Sequence, residues 1–476
     1  MGRAGITDKA KRMNSVEEGL LPPVLITGEP TPSMLLSERM EHYNVPGICI
    51  ALINNSEIEG VICHGTRRAQ TDNPINPDTL FQAASISKPV TAMAALRLVQ
   101  EGKLELDQDV NEVIRSWKVP ESVLTFEEKV TLRRLLSHTA GMTVHGFDGY
   151  SMEEEIPTVL EILDGRSPAN SAPIRVDLVP GSRYQYSGGG YIVVQQLLTD
   201  LTSVPFPDLM MELVLEPLVM SNSAFLQPLP AADVSRAALG HSITGEPLSG
   251  GWHIYPELAA AGLWSTSSDL AIFLIEVMTS TKDQSNKILS QSMIQEMLHA
   301  QGGEGNWGFG MGFLRAGEGS TAHILIGGSN QGYRSQMIAF PETGQGAVVM
   351  ANGEGGEELN NEVLRGLAQI YGWPALRPIE KSVVDVDPLI LEQFAGEYVL
   401  ADYPDFPISI RTEKDKLVLN TAADGETREL HPESDTRFFS TVSTREYTFI
   451  RDDQGKVVAL ETSGGGGQII IVRKVK

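Results

Sequence analysis

The tetrapeptide Ser85-Ile86-Ser87-Lys88 sets a hydroxyl and an amine at a spacing that can do chemistry. On a helix, residues three apart share a face, so Lys88 would stand over Ser85. A serine hydroxyl attacks a carbonyl only once a base takes its proton, and a desolvated lysine is suited to that task. If Ser85 opens the helix, its backbone N–H also points toward charge developing on a substrate oxygen. The chemistry implied is acyl transfer through a covalent serine ester. The nine histidines form no HExxH and the two cysteines no CxxC, so neither a metal nor a cofactor is expected.

The flanking residues supply the helix. Ile86, Val90, Met93, Leu96 and Leu98, with alanines between them, read as a largely buried helix that stops at Gly102. Upstream, VPGICIALI and EGVICHG flank the turn-like NNSE and read as a hairpin placing Cys49 roughly opposite Cys63. Two cysteines make no disulfide scaffold, and both are read as buried free thiols. From about 105 to 300 the pattern is mostly helical, as in TSSDLAIFLIEVMTS. Strand character returns in AHILIGG, YRSQMIAF and GQGAVVMAN, before a helix ELNNEVLRGLAQIYGW. A sheet built from both ends of a domain with helices inserted between them is expected, an α+β fold. Residues 1–32 read as an irregular arm and 33–374 as the catalytic domain. From 381 to 476, short strand candidates from AGEYVL to QIIIVRKV alternate with DG, DDQG and GGGG turns, which predicts a small all-β domain, a meander or barrel that hides its own edges.

DTLFQAASISKPVTAMAALRLVQEGKLELDQDV, LRRLLSHTAGM, VPGSRYQYSGGGYIVVQQLL, AAAGLWSTSSDLAIF and IGGSNQGYRSQMIAFPETGQGAVVMAN follow one another in an order that resembles class C β-lactamases, penicillin-binding proteins, family VIII esterases and D-aminopeptidases. The resemblance covers about residues 37–372. It implies a β-lactamase/transpeptidase-like domain with Ser85 as nucleophile, Lys88 as its base and Tyr186 as a proton relay near the lysine and the departing group. A small β-domain after the catalytic one is similar to the arrangement in some D-aminopeptidase relatives, and a lipocalin-like barrel is one form it could take.

Two positions depart from the family pattern. Gly188 stands two residues after the tyrosine, where an asparagine amide usually helps hold a substrate carbonyl and the lysine. Ile326-Gly327-Gly328 falls on the third motif, whose first residue is commonly Lys or His. The two glycines let a substrate approach the strand backbone, and the N–H of Ser329 is expected to complete an oxyanion hole with that of Ser85. Gly188, Ile326, Gly327 and Gly328 are therefore expected substrate-binding positions, and Trp264, which with Trp252 and Tyr255 brackets an apolar AAAG stretch, is placed with them as a wall of an acyl or alcohol pocket, core packing being its other reading. His323 lies three residues before Ile326, an odd offset that puts it on the other strand face. His138 is expected to satisfy a turn near the site, Tyr184 and Tyr191 to pack, and Asp269 to start a helix.

The formal charge of -24 is unsuited to a phosphate-binding surface, so no nucleic-acid partner is expected. No run approaches eighteen apolar residues, so no membrane span is expected. The polar opening MGRAGITDKAKRMNSVEEGLLPP lacks the apolar segment of an export signal, and cytoplasmic residence is the expectation, although a chain that had lost its leader would look the same. Loss of the asparagine and of the polar third-motif residue favours a carboxylesterase on neutral or apolar small-molecule esters. A D-amino acid amidase, peptidase or β-lactamase, an acyltransferase or cyclase to an amine or alcohol, and a catalytically idle binding member stand as alternatives.

Overall fold

The computed structural model describes residues 2–303, 307–400, 403–414, 416–421, 427–463 and 469–475. The expected hairpin pairs β1 (Gly47–Asn54) with β2 (Glu57–Gly65). Asn55 and Ser56 both take positive φ, 53° and 57°, as a two-residue hairpin turn requires. The register sets Cys49 directly opposite Cys63, with Cα atoms 4.1 Å apart and the sulfurs joined as a disulfide. The expectation of free thiols is thereby corrected: opposed residues on a pleated pair come close enough to bond, a proximity that cysteine number alone does not reveal.

β1 is apolar at nearly every position and buried on both faces, which suits a strand inside a sheet. Its other neighbour comes from the far end of the chain. With β3 (Trp307–Phe309), β4 (Leu314–Ala316), β5 (His323–Asn330), β6 (Tyr333–Phe340) and β7 (Gln345–Ala351), it forms a seven-stranded sheet in the order β2-β1-β7-β6-β5-β4-β3. Every pairing is antiparallel. The helix Ser267–Thr281 packs across β1, β2 and β7, its amino end capped by Thr266, which accepts the N–H of Asp269. The helix Ser87–Gln100 is buried from Ser87 through Leu96, as a helix apolar on all sides must be. It packs against the short helix Leu258–Ala261 and the helix Gln291–Leu298.

The amino-terminal segment is not an irregular arm: a helix runs from Gly2 to Glu18. Its apolar period is weak, and what holds it is docking on β2. Met13 lies on Gly60, Val16 is buried, and the Arg12 guanidinium bonds the Glu59 carboxylate at 2.7 Å. Residues after this helix join a second compact unit, Glu18–Met34 with Glu362–Lys476, while Leu35–Asn361 forms the first with the helix. The division falls earlier than the composition change at Pro374, because the chain around Leu21 bonds the later turns of the helix Gly356–Tyr371: the N–H of Leu21 meets the carbonyl of Glu362, and Arg365 Nε the carbonyl of Leu21. The strand Val24–Ile26 pairs in parallel with Ile379–Lys381.

From Gly396 to Lys474 eight antiparallel strands close into a barrel, the first pairing with the last through Tyr398 and Lys474. Closure removes the exposed edges that a meander would leave. Thr427–Pro432 is a strand that apolar content did not signal, since its residues TRELHP are mostly polar. The DDQG turn is formed, with the N–H of Gly455 on the carbonyl of Asp452. The DG and GGGG turns lie outside the described residues. Side chains fill the barrel: Phe394, from the helix Pro388–Phe394, stacks on Phe449 with ring centres 4.1 Å apart and also meets Phe438.

Candidate active site

Ser85 sits in a single tight turn, Ala84–Ile86, that leads into the helix Ser87–Gln100. Ala84 takes a φ of 52°, a left-handed conformation costly to a residue with a Cβ, so the turn is held by its surroundings. Those surroundings are the strand β5, pressed against the turn at Gly328. A Cβ at Gly328 would stand 2.2 Å from the carbonyl oxygen of Ala83, so only glycine permits this approach. The helix period then does what the spacing predicts. Lys88 Nζ donates to Ser85 Oγ at 2.9 Å and to the carbonyl of Ala260 at 2.9 Å, with the side chain buried.

Tyr186 arrives from a different part of the chain. It precedes the helix Gly188–Thr202, whose cap Ser187 accepts the N–H of Gly190. The Tyr186 hydroxyl donates to Ser85 Oγ at 2.9 Å, and Lys88 Nζ lies 5.1 Å from its ring centre. His138 stacks on the same ring at 4.3 Å, and its Nδ1 accepts the N–H of Ser187 at 3.1 Å, so Nε2 carries the hydrogen. Burial, and after it the charge of Lys88, push the His138 pKa well below its ordinary value, so the ring is neutral. His138 thus both satisfies the backbone, as the sequence suggested, and props Tyr186. Tyr191 packs, its hydroxyl donating to the carbonyl of Leu136, and burial raises its pKa. Burial also raises the pKa of Tyr184, which lines the cavity and stacks on Phe309.

These residues open on a cavity of about 690 Å³, in the range of small-molecule sites. β4 pairs with β5 only through His323–Leu325, which leaves the edge from Ile326 to Asn330 facing the nucleophile turn. Ile326, Gly327, Gly328, Ser329 and Gly188 all line the cavity, as the sequence proposed. Trp264 does not: it is buried between Trp252 and Tyr333, on a two-residue strand paired with Phe81–Gln82. Its expected place in the substrate site is corrected, because a strand too short to show a period gives no indication of which way its ring points. His323 stays away from the cavity, its Nδ1 on the carbonyl of Thr321 and its ring beside Phe340. Asp269 accepts from Ser223 Oγ and the N–H of Asn222 at its helix start.

Sequence reasoning missed several lining residues. His145 and Phe147 come from the loop before the Tyr186 segment, and Phe309 from β3. Arg334, Gln336, Glu357 and Asn360 add polar side chains to the lining. Arg334 Nη1 donates to the carbonyls of Asn330 and Tyr333, and the buried Oδ1 of Asn360 has no hydrogen-bond partner among the described residues. Arg334 was not singled out by its sequence: it stands opposite Ser329 across the β5–β6 pair, a register no local pattern states.

Residues 34–371 match the family model described as Beta-lactamase. The chain belongs to the beta-lactamase family. The match carries an acyl-enzyme mechanism of the serine-hydrolase type as the family's shared chemistry. Among curated relatives, penicillin-binding protein 4* of Bacillus subtilis is 24% identical over 411 residues, covering 82% of this chain and 87% of its own. Esterase EstB of Burkholderia gladioli is 29% identical over 210 residues, 41% of this chain and 51% of the relative. An octameric penicillin-binding protein homologue from Pyrococcus abyssi superposes with a TM-score of 0.61 at 22% identity, covering 92% of this chain and 98% of that one. SurE superposes with a TM-score of 0.57 at 20% identity over 99% of this chain and 100% of that one. At these identities the two structures speak to fold alone, and both extend the likeness past the catalytic unit into the barrel.

Proposed function

We propose that this family member hydrolyses esters through an acyl-enzyme on Ser85. The observation that carries the reading is Ser85 Oγ held 2.9 Å from both Lys88 Nζ and the Tyr186 hydroxyl. Lys88 takes the Ser85 proton while Oγ bonds to the substrate carbonyl carbon. The carbonyl oxygen becomes an oxyanion that the N–H groups of Ser85 and Ser329 stabilise. The carbon–oxygen bond to the alcohol then breaks, Tyr186 gives its proton to the departing oxygen, and Lys88 returns a proton to Tyr186. Water repeats the sequence in reverse, its proton passing to Lys88 directly or through Tyr186, and frees the acid.

Ester rather than amide is favoured by the apolar Ile326 and the absent side chain at Gly188, which leave a substrate amide or carboxylate without its usual partners there. The alternative, an amidase or peptidase acting on charged substrates, is favoured by Arg334 and Asn360 in the cavity lining, the Asn360 Oδ1 being unpartnered among the described residues.

A fluorophosphonate probe tests the nucleophile. Mass spectrometry is expected to find one adduct on Ser85, absent in Ser85→Ala, and an unlabelled folded protein would sink the mechanism. kcat/KM on neutral esters, a chromogenic cephalosporin and D-alanyl anilides then decides between the two readings. Highest efficiency on the cephalosporin or the anilides would remove the ester assignment.

Tyr186→Phe keeps the ring on His138 and loses the proton. Its kcat is expected to drop on the order of 10²-fold for alkyl esters and anilides, and much less for p-nitrophenyl esters, whose leaving group departs unprotonated. Equal losses on both kinds of substrate would remove Tyr186 from the relay.

A further inference from the structure

We propose that Asn330 is a positioning residue for this reaction, an inference that rests on the acyl-enzyme reading above. Its side-chain amide fixes the strand carrying the Ser329 N–H against the turn carrying Ser85. Ile326, Gly328 and Asn330 alternate onto the buried face of β5, and Gly327 and Ser329 onto the exposed one. At Gly328 the strand presses on the carbonyl of Ala83. Two residues on, Asn330 Nδ2 donates to Gln82 Oε1 at 2.7 Å and to the carbonyl of Ala261 at 3.2 Å. Gln82 Nε2 donates in turn to the carbonyl of His253 at 2.8 Å. Both amides are buried, and they join β5 to two segments at once. Gln82 ends the strand Phe81–Gln82 that runs into the Ser85 turn, and Ala261 follows Ala260, whose carbonyl holds Lys88. Among the described residues no backbone hydrogen bond crosses from residues 326–330 to residues 82–86. A backbone ladder there would fill the edge that a substrate carbonyl must enter, so the tie has to come from a side chain. A second side-chain contact, Ser335 Oγ to the carbonyl of Gln82, is 3.5 Å long and comes from β6 rather than from this edge.

The carbonyl ends of this chain decide how both amides are turned. The oxygens of Ala261 and His253 can only accept, so the nitrogens of Asn330 and Gln82 face them, and the Gln82 oxygen is left facing Asn330. Both Nδ2 hydrogens of Asn330 are thereby used, and neither a carboxylate nor a methyl group at position 330 could replace them. The consequence falls on Ser329. Its N–H lies in the chain between two anchored residues, Gly328 on Ala83 and Asn330 on Gln82 and Ala261, so its distance from the Ser85 N–H is set from both sides. Two N–H groups stabilise an oxyanion only at the separation the oxyanion requires, and a small displacement of one strand weakens the bond it makes.

The test compares p-nitrophenyl acetate with its thionoester, in which sulfur replaces the carbonyl oxygen. Sulfur is larger and a poorer acceptor, so a well-placed pair of N–H groups discriminates against it and a displaced pair does so less. Asn330→Ala is expected to lower kcat on the oxygen ester by about 10–100-fold with KM little changed. It should also shrink the oxygen-over-sulfur ratio of kcat/KM by about tenfold. The kcat loss should be similar for p-nitrophenyl and alkyl esters, unlike that of Tyr186→Phe, because protonation of the departing oxygen is untouched. Gln82→Met keeps the buried volume and removes the acceptor, and is expected to move kcat and the ratio the same way by less. A folded Asn330→Ala with the parental oxygen-over-sulfur ratio overturns the assignment, whatever its stability, since a loss of folded protein lowers both rates alike. Should the alanine variant not fold, a parental ratio in Gln82→Met overturns it instead. Fluorophosphonate labelling of the parent separates the two failures. A labelled parent whose variants keep the parental ratio rejects only the role of Asn330, whereas an unlabelled parent rejects the acyl-enzyme and this role with it.

Discussion

Lys88→Ala is expected to lower kcat on a p-nitrophenyl ester by on the order of 10²–10⁴-fold, the range of a positioned proton transfer. The ester is chosen because its alcohol leaves without protonation, which isolates activation of Ser85. In the variant, Ser85 Oγ keeps its bond from Tyr186 but has no group to take its proton, since His138 is neutral and its accepting Nδ1 is occupied by Ser187. Removing the side chain also strands the carbonyl of Ala260, a buried acceptor whose loss of a partner costs about 1–3 kcal/mol of stability. Lys88→Met separates the two effects by keeping the buried stem without the amine. Both variants are expected to fold, to lose turnover together and to resist the fluorophosphonate probe. Undiminished kcat in either folded variant would remove the Ser85–Lys88 mechanism. Substrate KM should move far less than kcat, because Lys88 contacts the nucleophile rather than the bound ester's far ends.

A second large effect concerns Glu257, fully buried at the start of the short helix Leu258–Ala261, where no donor among the other described residues reaches either carboxylate oxygen. Burial, offset in part by its own backbone N–H, raises its pKa from the ordinary carboxylate range to about 8. The folded state therefore holds a proton that the unfolded state has released from about pH 4.5 upward, and in that window the native state binds more protons than the unfolded one. Stability contributed by the protonated carboxyl is fully present below pH 4.5 and is lost as pH rises through about 8. The expected slope is roughly 1 kcal/mol per pH unit. His138 works in the opposite sense: its lowered pKa gives stability that is lost as pH falls below the ordinary histidine value. The clean measurement is thus the difference between the parent and Glu257→Gln by urea unfolding at pH 5, 6, 7 and 8. Glutamine mimics the protonated acid, so the two are expected to be alike near pH 5 and the variant progressively more stable toward pH 8. A pH-independent difference would show that Glu257 is ionised or solvated in the native protein. The carbonyl that holds Lys88 belongs to the same short helix, so alkaline loss of activity in the parent should be blunted in Glu257→Gln.

Local periodicity determined the pairing of Ser85 with Lys88. Two residues three apart in helical turns share a face, and the apolar run from Ile86 to Leu98 predicted a buried helix there, although the turn that carries Ser85 just before that helix is itself held by β5. The family resemblance carried by the motif blocks implied that Tyr186, Gly188 and the Ile326–Ser329 strand share one site, and they do line one cavity, while the alternation of short strands announced a separate β-domain. Tertiary structure alone decided the rest. Whether Cys49 bonds Cys63 depends on hairpin register, whether Trp264 faces substrate or core depends on the two residues it pairs with, and the amino-terminal helix forms because β2 offers it a docking face. The walls of the cavity followed the same rule. Phe147 reaches it through hydrogen bonds between a loop and a helix start, and Arg334 through its opposition to Ser329 across two strands. Contacts between neighbours on one helix turn are fixed by backbone geometry and so are written into spacing; contacts between distant segments depend on how whole elements pack, and no stretch of sequence carries them by itself.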